Sequence, residues 1–288
     1  MGSSSVAEDF LLPQAPSNAV IRRINFLDTD TPISKYKDYN AVVIDNVLTE
    51  EECKELLRIA EASTVKDTSG SPTWERAMIN IGGGRQTLAT EQRKCGRIIL
   101  DSPELADKLL ARLMPFLKEL GFDHIRNQPL VTGLDGRGRA YRLSRLNERL
   151  RFLKYEGGEY FRPHWDSNYL TSDEQEESFY TVHLYLNGDG EQDLEELRQA
   201  SKKAETDPQG SVNMDLSGKL LGGATSFSAS YKEEDGIVRV FPKTGSALVF
   251  QQYHLLHAGD PVFRGVKYTL RTEMMYREMT MTLKVHDL

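Results

Sequence analysis

Three side chains able to bind a metal, two of them close together and one far along the sequence, stand in this chain of 288 residues. His164 and Asp166 flank Trp165. In an extended strand, residues two apart project from one face, so this imidazole and carboxylate would emerge together. Alone the pair is a weak signal. His257, in GSALVFQQYHLLHAGDPV, is the candidate third ligand, because distant strands line one cavity when a β-sandwich closes. His254, three residues earlier, is its rival. Two histidines and one carboxylate on one face of a metal leave its other positions open, which is the facial arrangement of non-heme Fe(II) sites. The same ligands could also build a hydrolytic or structural zinc site.

A cation follows at a telling distance. Lys267 lies ten residues after His257. A ketoacid that chelates a metal through its keto and adjacent carboxylate oxygens leaves a distal carboxylate, and a Lys or Arg on the next strand can hold it. Lys267, Thr269, Arg271 and Glu273 share one strand face by period-two alternation, so Lys267 and Arg271 compete for that role.

The elements that must position these residues change character along the chain. Residues 1–40 read as a polar arm punctuated by Pro13, Pro16 and Pro32 and are expected to be partly loose. Ala41 to Val47 predicts a strand. A helix should follow at once, with Thr49 and Glu52 at capping-box spacing and Cys53, Leu56, Leu57 and Ala60 as its apolar stripe. A second helix opens at Pro103, with Leu105, Leu109, Leu113 and Phe116 recurring and Pro115 placed to bend it. From Asn147 short β-rich runs take over: LRFLKY, YFRPHWD, FYTVHLYLN, GGATSFSA, IVRVFP, GSALVFQQ and KYTLRTEMMY. Several short strands in series predict a sandwich or barrel. The expected organisation is the arm, then one domain over 41–288. That domain would comprise helical support over 48–125, a β core over about 147–278 and an acidic helical insert over about 188–220.

Composition excludes several classes. Hydrophobic residues make up 39% and charged residues 27%, a globular balance. The net charge is −7, which argues against a nucleic-acid partner or basic membrane attachment. The acidity is local, since 15 acids face 5 bases between Asp173 and Asp235. Two cysteines rule out a disulfide scaffold. No apolar run approaches the ~20 residues of a membrane span, and the first residues lack a basic and apolar leader. The expectation is a soluble, cytoplasmic protein; its oligomeric state is left open.

Five ordered pieces together resemble a known family. They are Y-x-x-G-x-x-F-x-P-H-x-D (Tyr155 to Asp166), Y-L-N (Tyr185 to Asn187), G-G-A-T-S-F (Gly222 to Phe227), V-F-P-K-T-G-S-A-L-V-F (Val240 to Phe250), and H-A-G-D-P-V with Lys267 beyond it. From about Arg151 to Tyr276 the chain resembles the 2-oxoglutarate and Fe(II)-dependent oxygenases of the prolyl 4-hydroxylase-like branch. A weaker echo is the strand-to-helix entry DNVLTEEEC. The resemblance implies a mainly β fold with flanking helices, a double-stranded β-helix (a cupin-like jelly-roll barrel). It implies Fe(II) held by His164, Asp166 and His257, 2-oxoglutarate anchored by Lys267, and O2 as oxidant, with ascorbate as a supporting reductant. Tyr155 and Tyr185 match family tyrosines that hydrogen-bond the cosubstrate, and Thr225 would line the same pocket. Related halogenases replace the carboxylate by Gly or Ala, so an intact Asp166 points to hydroxylation or another oxygen-driven oxidation.

Substrate residues follow from alternation. If Tyr155 faces the cavity, Arg151 and Arg149 share its side and could hold a substrate carboxylate bidentately; the alternative is that the early half of the strand extends beyond the barrel and leaves them solvated or paired with Glu148 or the acidic insert. The loop-rich stretch from Trp74 to Arg97, with Gly82-Gly83-Gly84 and Arg85, is a candidate substrate wall, and Trp74 and Arg85 are its expected contacts. Ser167 to Glu177 is a second lid candidate, with Asn168 toward the substrate. The reading is hydroxylation, desaturation or cyclisation at an unactivated C–H of a small carboxylated metabolite such as an amino acid. Its alternatives are a peptidyl-prolyl 4-hydroxylase acting on a protein and a catalytically inactive metal-binding jelly roll. His183 shares a strand face with Tyr185 that could bring it to the pocket, but the expectation is a satisfied core histidine; Cys53 is expected in the core, and His124 and His286 without a role. Cys95, beside Lys94 and Arg97, has no base to pair with.

Overall fold

The computed structural model describes residues 9–29, 31–82, 85–206, 215–231 and 236–279. Most of its β-strands fall into two antiparallel sheets, with two short two-stranded pairs beside them. The strands that matter here are β1 (Val20–Arg23), β2 (Ala41–Asp45), β3 (Arg93–Lys94), β4 (Gly96–Asp101), β5 (Ala140–Leu146), β6 (Arg149–Tyr155) and β7 (Tyr160–His164). They continue with β8 (Glu176–Tyr185), β9 (Thr225–Ser228), β10 (Ile237–Val240), β11 (Ala247–Gln251), β12 (His257–Gly259) and β13 (Lys267–Glu278). The larger sheet runs β1-β2-β11-β8-β13-β6-β4, and β5 pairs with the far half of β13. The smaller sheet runs β10-β9-β12-β7-β3. Neighbours on each sheet come from distant parts of the sequence, the wrapped order of a double-stranded β-helix.

Alternation sorts the larger sheet into two apolar faces. Val42, Ile44, Phe152, Val182, Val249 and Leu270 point outward into one core, whereas Val43, Tyr185, Leu248 and Phe250 point between the sheets. Two helices cover the outer face. Helix α1 (Glu50–Ala62) begins at a capping box in which Thr49 Oγ1 accepts from Glu52 N–H and Glu52 accepts from Thr49 N–H. It buries Cys53, Leu56, Ile59 and Ala60. Helix α2 (Pro103–Leu120) is capped by Ser102, carries Pro115 inside it, and buries Leu105, Leu109, Leu113 and Leu117. The sheet is therefore dry outside and free to present polar side chains inside.

From Val20 the N-terminal stretch, expected to be a partly loose polar arm, packs onto the domain. β1 pairs with β2 over Val20 to Arg23, and Phe26, Ile33 and Tyr36 are buried in one cluster with Val43, Phe227, Leu248 and Phe250. Short apolar pieces between prolines sufficed, because each covers a core edge rather than building an element of its own. The acidic insert contains an exposed helix, α3 (Leu194–Thr206), with no buried residue. Part of the insert (207–214), residues 1–8, Gly83, Gly84 and His286 lie outside the described residues. Among the described residues no helix is long and apolar enough to cross a membrane.

Candidate metal and cosubstrate site

β7 ends at His164 and β12 begins at His257, and the two residues are register partners across the smaller sheet. Pairing alone thus sets the imidazoles side by side, with ring centroids 4.3 Å apart. Phe161 stacks on His164 at 3.6 Å, and Phe250 meets the His257 ring edge-on at 4.7 Å. Asp166 lies just beyond β7, its carboxylate 3.8 Å from His164 Nε2 and 3.6 Å from His257 Nε2. One ligand atom from each residue falls within 4.8 Å of the others. His254, the rival, sits exposed in a turn at φ +57° and lies outside this group.

The donor set fits a divalent transition metal. His164 Nδ1 lies 2.8 Å from the Arg162 carbonyl and His257 Nδ1 lies 3.0 Å from the Leu255 carbonyl. Each ring nitrogen bonded to a carbonyl must carry the proton, which leaves both Nε2 lone pairs facing Asp166, the orientation a metal requires. Burial pushes both imidazoles below the usual histidine range, keeping them neutral. Burial works against the Asp166 carboxylate, but the Arg271 guanidinium, helped by the Thr181 hydroxyl, outweighs it and holds Asp166 ionised. Its Oδ2 is positioned by the Thr181 hydroxyl at 2.7 Å and Arg271 Nη2 at 2.9 Å.

Lys267 opens β13 directly opposite Tyr155 on β6. It is 1% exposed, yet no hydrogen bond or ion pair reaches its ammonium among the described residues. Nζ stands 5.2 Å from the Tyr155 ring centre and 5.8 Å from that of Tyr185. Burial pulls its pKa down to about 8, against the weaker pull of Asp260. A buried cation without a counter-ion is costly, so this pocket calls for an anion. Tyr185 donates to Thr225 Oγ1 at 2.7 Å. The Gly222-Gly223 turn lets the lysine stem pass: Gly223 has φ +71°, and a Cβ there would meet Lys267 Cδ at 3.0 Å. His183 Nε2 and Thr269 Oγ1 are also buried without a partner.

These groups open into a cavity of 410 Å³, within the range of small-ligand pockets. His164, Asp166, His257, Lys267, Tyr155, Thr225, Arg271, Arg151 and Asn168 line it; Tyr185 backs Thr225. Arg271 is already engaged, by Asp166 and by Glu273 at 3.0 Å, so it does not offer the free cation that Lys267 does. Arg151 Nη1 spans both Glu273 oxygens at 2.8 and 2.9 Å. Three residues expected at the substrate do not line the cavity. Arg149 shares the strand face, but the strand has run past the barrel there, and its exposed side chain turns to Asp101 at 3.7 Å. Trp74 lies on the outer side, against Tyr268 at 5.8 Å and donating to Glu61 at 3.3 Å. Arg85 is exposed.

Among the other lining residues, Asn80 and Gln86 belong to the loop-rich stretch read as a wall, whereas Met78, Arg93 and Arg97 carried no expectation. The stretch from Trp74 to Arg97 does form a wall, through Met78, Asn80, Gln86, Arg93 and Arg97 rather than through Trp74. Alternation across Arg93-Lys94-Cys95-Gly96-Arg97 places residues 93, 95 and 97 on one side, a readable signal. Cys95 is fully buried and accepts from Arg93 Nε at 3.3 Å. His183 lines the cavity instead of being satisfied in the core.

Residues 150–272 match the family model described as the 2OG-Fe(II) oxygenase superfamily. No curated protein matches the chain. Among solved structures, the chain is similar to a Pseudomonas putida prolyl-4-hydroxylase at 16% identity and TM-score 0.46, covering 84% of this chain and 96% of that one. It is similar to the viral collagen prolyl hydroxylase of Paramecium Bursaria Chlorella virus-1 at 17% identity and TM-score 0.43, covering 82% and 96%. It is also similar to SnoN, an alpha ketoglutarate dependent epimerase from nogalamycin biosynthesis, at 13% identity and TM-score 0.42, covering 85% and 80%. The matched segment 150–272 contains the His-Asp-His group and Lys267, and this segment is a 2OG-Fe(II) oxygenase domain, of the superfamily that uses Fe(II), 2-oxoglutarate and O2.

Proposed function

We propose that the chain oxidises an unactivated C–H bond of a small carboxylated metabolite such as an amino acid, with Fe(II) on His164, Asp166 and His257. The observation that carries this reading is the charge of the cavity. Arg93, Arg97, Arg151, Lys267 and Arg271 line it against only Asp166 and Glu273 among acids. Such an excess is costly in an enclosed space unless anions enter.

Bound Fe(II) supplies the coupling of 2-oxoglutarate decarboxylation to substrate oxidation by O2. The chain's own residues supply binding and order. His164 and His257 present unprotonated Nε2 atoms because their Nδ1 protons are given to Arg162 and Leu255 carbonyls. Thr181 and Arg271 fix one carboxylate oxygen of Asp166, which leaves Oδ1 the freer to ligate. Lys267 neutralises the distal carboxylate of 2-oxoglutarate, with the hydroxyl of Tyr155 nearby and Thr225 beside Tyr185. His183 and Thr269 hold unmet hydrogen-bonding capacity next to this pocket. Arg151, tied to Glu273, forms part of the wall on the substrate side.

The test is turnover with Fe(II), ascorbate, 2-oxoglutarate and a pool of small metabolites, reading succinate release and product mass. A small acid gaining sixteen mass units or losing two supports the reading. Succinate release driven only by a peptide pool would replace it with peptidyl-prolyl hydroxylation, and no release from any pool would leave the inactive module.

A further inference from the structure

The cations of the cavity are not equivalent. Arg271 and Arg151 share Glu273, and Arg271 also holds Asp166, so the two acids of the lining are consumed by these two arginines. Arg97 makes no ion pair among the described residues; Glu75, its register partner on the neighbouring strand, is exposed and acts on it only from a distance. It is 5% exposed, its Nε is buried without a hydrogen-bond partner, and its one side-chain bond is a long 3.4 Å contact from Nη2 to Gln86. Burial and the neighbouring Arg93 both push against its charged form. Arg93 gives its Nε to Cys95 and lies with its guanidinium carbon 4.5 Å from the centre of the Phe161 ring, the ring that stacks on the metal ligand His164.

The chain places this pair at a corner of the barrel. β3 belongs to the smaller sheet, where Arg93 is the register partner of Phe161. β4 belongs to the larger sheet, where Arg97 is the partner of Leu153. Cys95 turns the corner between them. Arg97 therefore stands across β6 from Thr269, one strand removed from the lysine that faces 2-oxoglutarate.

We propose that Arg97, with Arg93 beside it, seats a carboxylate of the substrate and so restricts the enzyme to small carboxylic acids. The inference rests on the oxygenase reading above and sharpens it. A guanidinium presents paired donors in one plane and matches a carboxylate bidentately. That match would satisfy the buried Nε, which has no hydrogen-bond partner among the described residues. It would also set the substrate's anionic end near Phe161, and thus near the metal.

The experiment uses the full chain loaded with Fe(II), in wild type, Arg97→Gln and Arg97→Lys. Anaerobic 2-oxoglutarate is added first, and the ketoacid-to-iron charge-transfer absorbance shows that each protein is folded and binds cosubstrate. A small-metabolite extract is then supplied untreated or after methyl esterification, with fresh 2-oxoglutarate added later. Wild type should release succinate with the untreated extract and not with the esterified one. The response should fall about 30-fold in Arg97→Gln and recover in part in Arg97→Lys. The untreated extract should also perturb the anaerobic absorbance of wild type but not of Arg97→Gln. If Arg97→Gln answers free acids as wild type does, the inference falls and the oxygenase reading stands. If Arg97→Gln instead loses 2-oxoglutarate itself, Arg97 serves the cosubstrate and the inference is overturned. A wild type that answers esters equally, only peptides, or nothing overturns it together with the small-acid reading. Absence of the absorbance in wild type overturns the assigned site itself.

Discussion

Arg271 Nη2 lies 2.9 Å from Asp166 Oδ2, so the metal-binding carboxylate is held by a guanidinium from the opposite sheet. Both groups project into one cavity because β13 and the end of β7 face each other across the barrel. On the proposed reading this contact gives Arg271 the task of positioning the metal ligand, separate from the cosubstrate role proposed for Lys267.

Arg271→Gln should therefore act on the metal. Loss of a group that orients a ligand typically costs about 10–100-fold in metal affinity. We expect that loss in an Fe(II) or surrogate Mn(II) competition titration, with the 2-oxoglutarate requirement little changed once metal is saturating. A selective rise in the 2-oxoglutarate requirement would make Arg271 the cosubstrate anchor instead.

His164→Ala, Asp166→Ala and His257→Ala should each abolish tight metal binding and succinate production. His254→Ala should change neither, because His254 is exposed and outside the group. Metal stoichiometry of the purified variants checks this directly.

The affinity for 2-oxoglutarate should depend on pH through Lys267. Its pKa lies near 8, lowered mainly by burial, and the groups around it are Tyr155, Tyr185, Asp260 and Cys95. The ammonium is the form that holds a carboxylate. Affinity should be flat below pH 8 and fall as pH rises through it, approaching about tenfold per unit well above the pKa. Lys267→Met should bind weakly with this step removed. A wild-type affinity that rises above pH 8 would contradict the assignment.

Gly223→Ala introduces a Cβ 3.0 Å from the Lys267 stem at φ +71°. The backbone strain is about 1–2 kcal/mol, too little to unfold most domains. The variant should fold with a lowered melting temperature and a raised 2-oxoglutarate KM.

Sequence carried the local part of this account and not the long-range part. His164, Asp166, His257 and Lys267 were legible because strand alternation and fixed motif spacing act over a few residues. The capping box at Thr49 and Glu52 was legible for the same reason. The fate of the arginines was not. Whether Arg151 is free or tied to Glu273 depends on a register between strands 120 residues apart, which alternation does not encode. Arg149 obeyed alternation yet missed the cavity, since alternation gives the face but not where the barrel ends. His183 looked like a core residue because its strand is apolar on both sides, and only closure of the barrel turned it onto a polar cavity.

The most direct test of the central claim is anaerobic titration of the Fe(II)-loaded chain with 2-oxoglutarate, followed by the ketoacid-to-iron charge-transfer absorbance. The account predicts saturation at one equivalent in wild type, a much higher concentration requirement in Lys267→Ala, and no band in His257→Ala. A band that saturates identically in wild type and Lys267→Ala would contradict it.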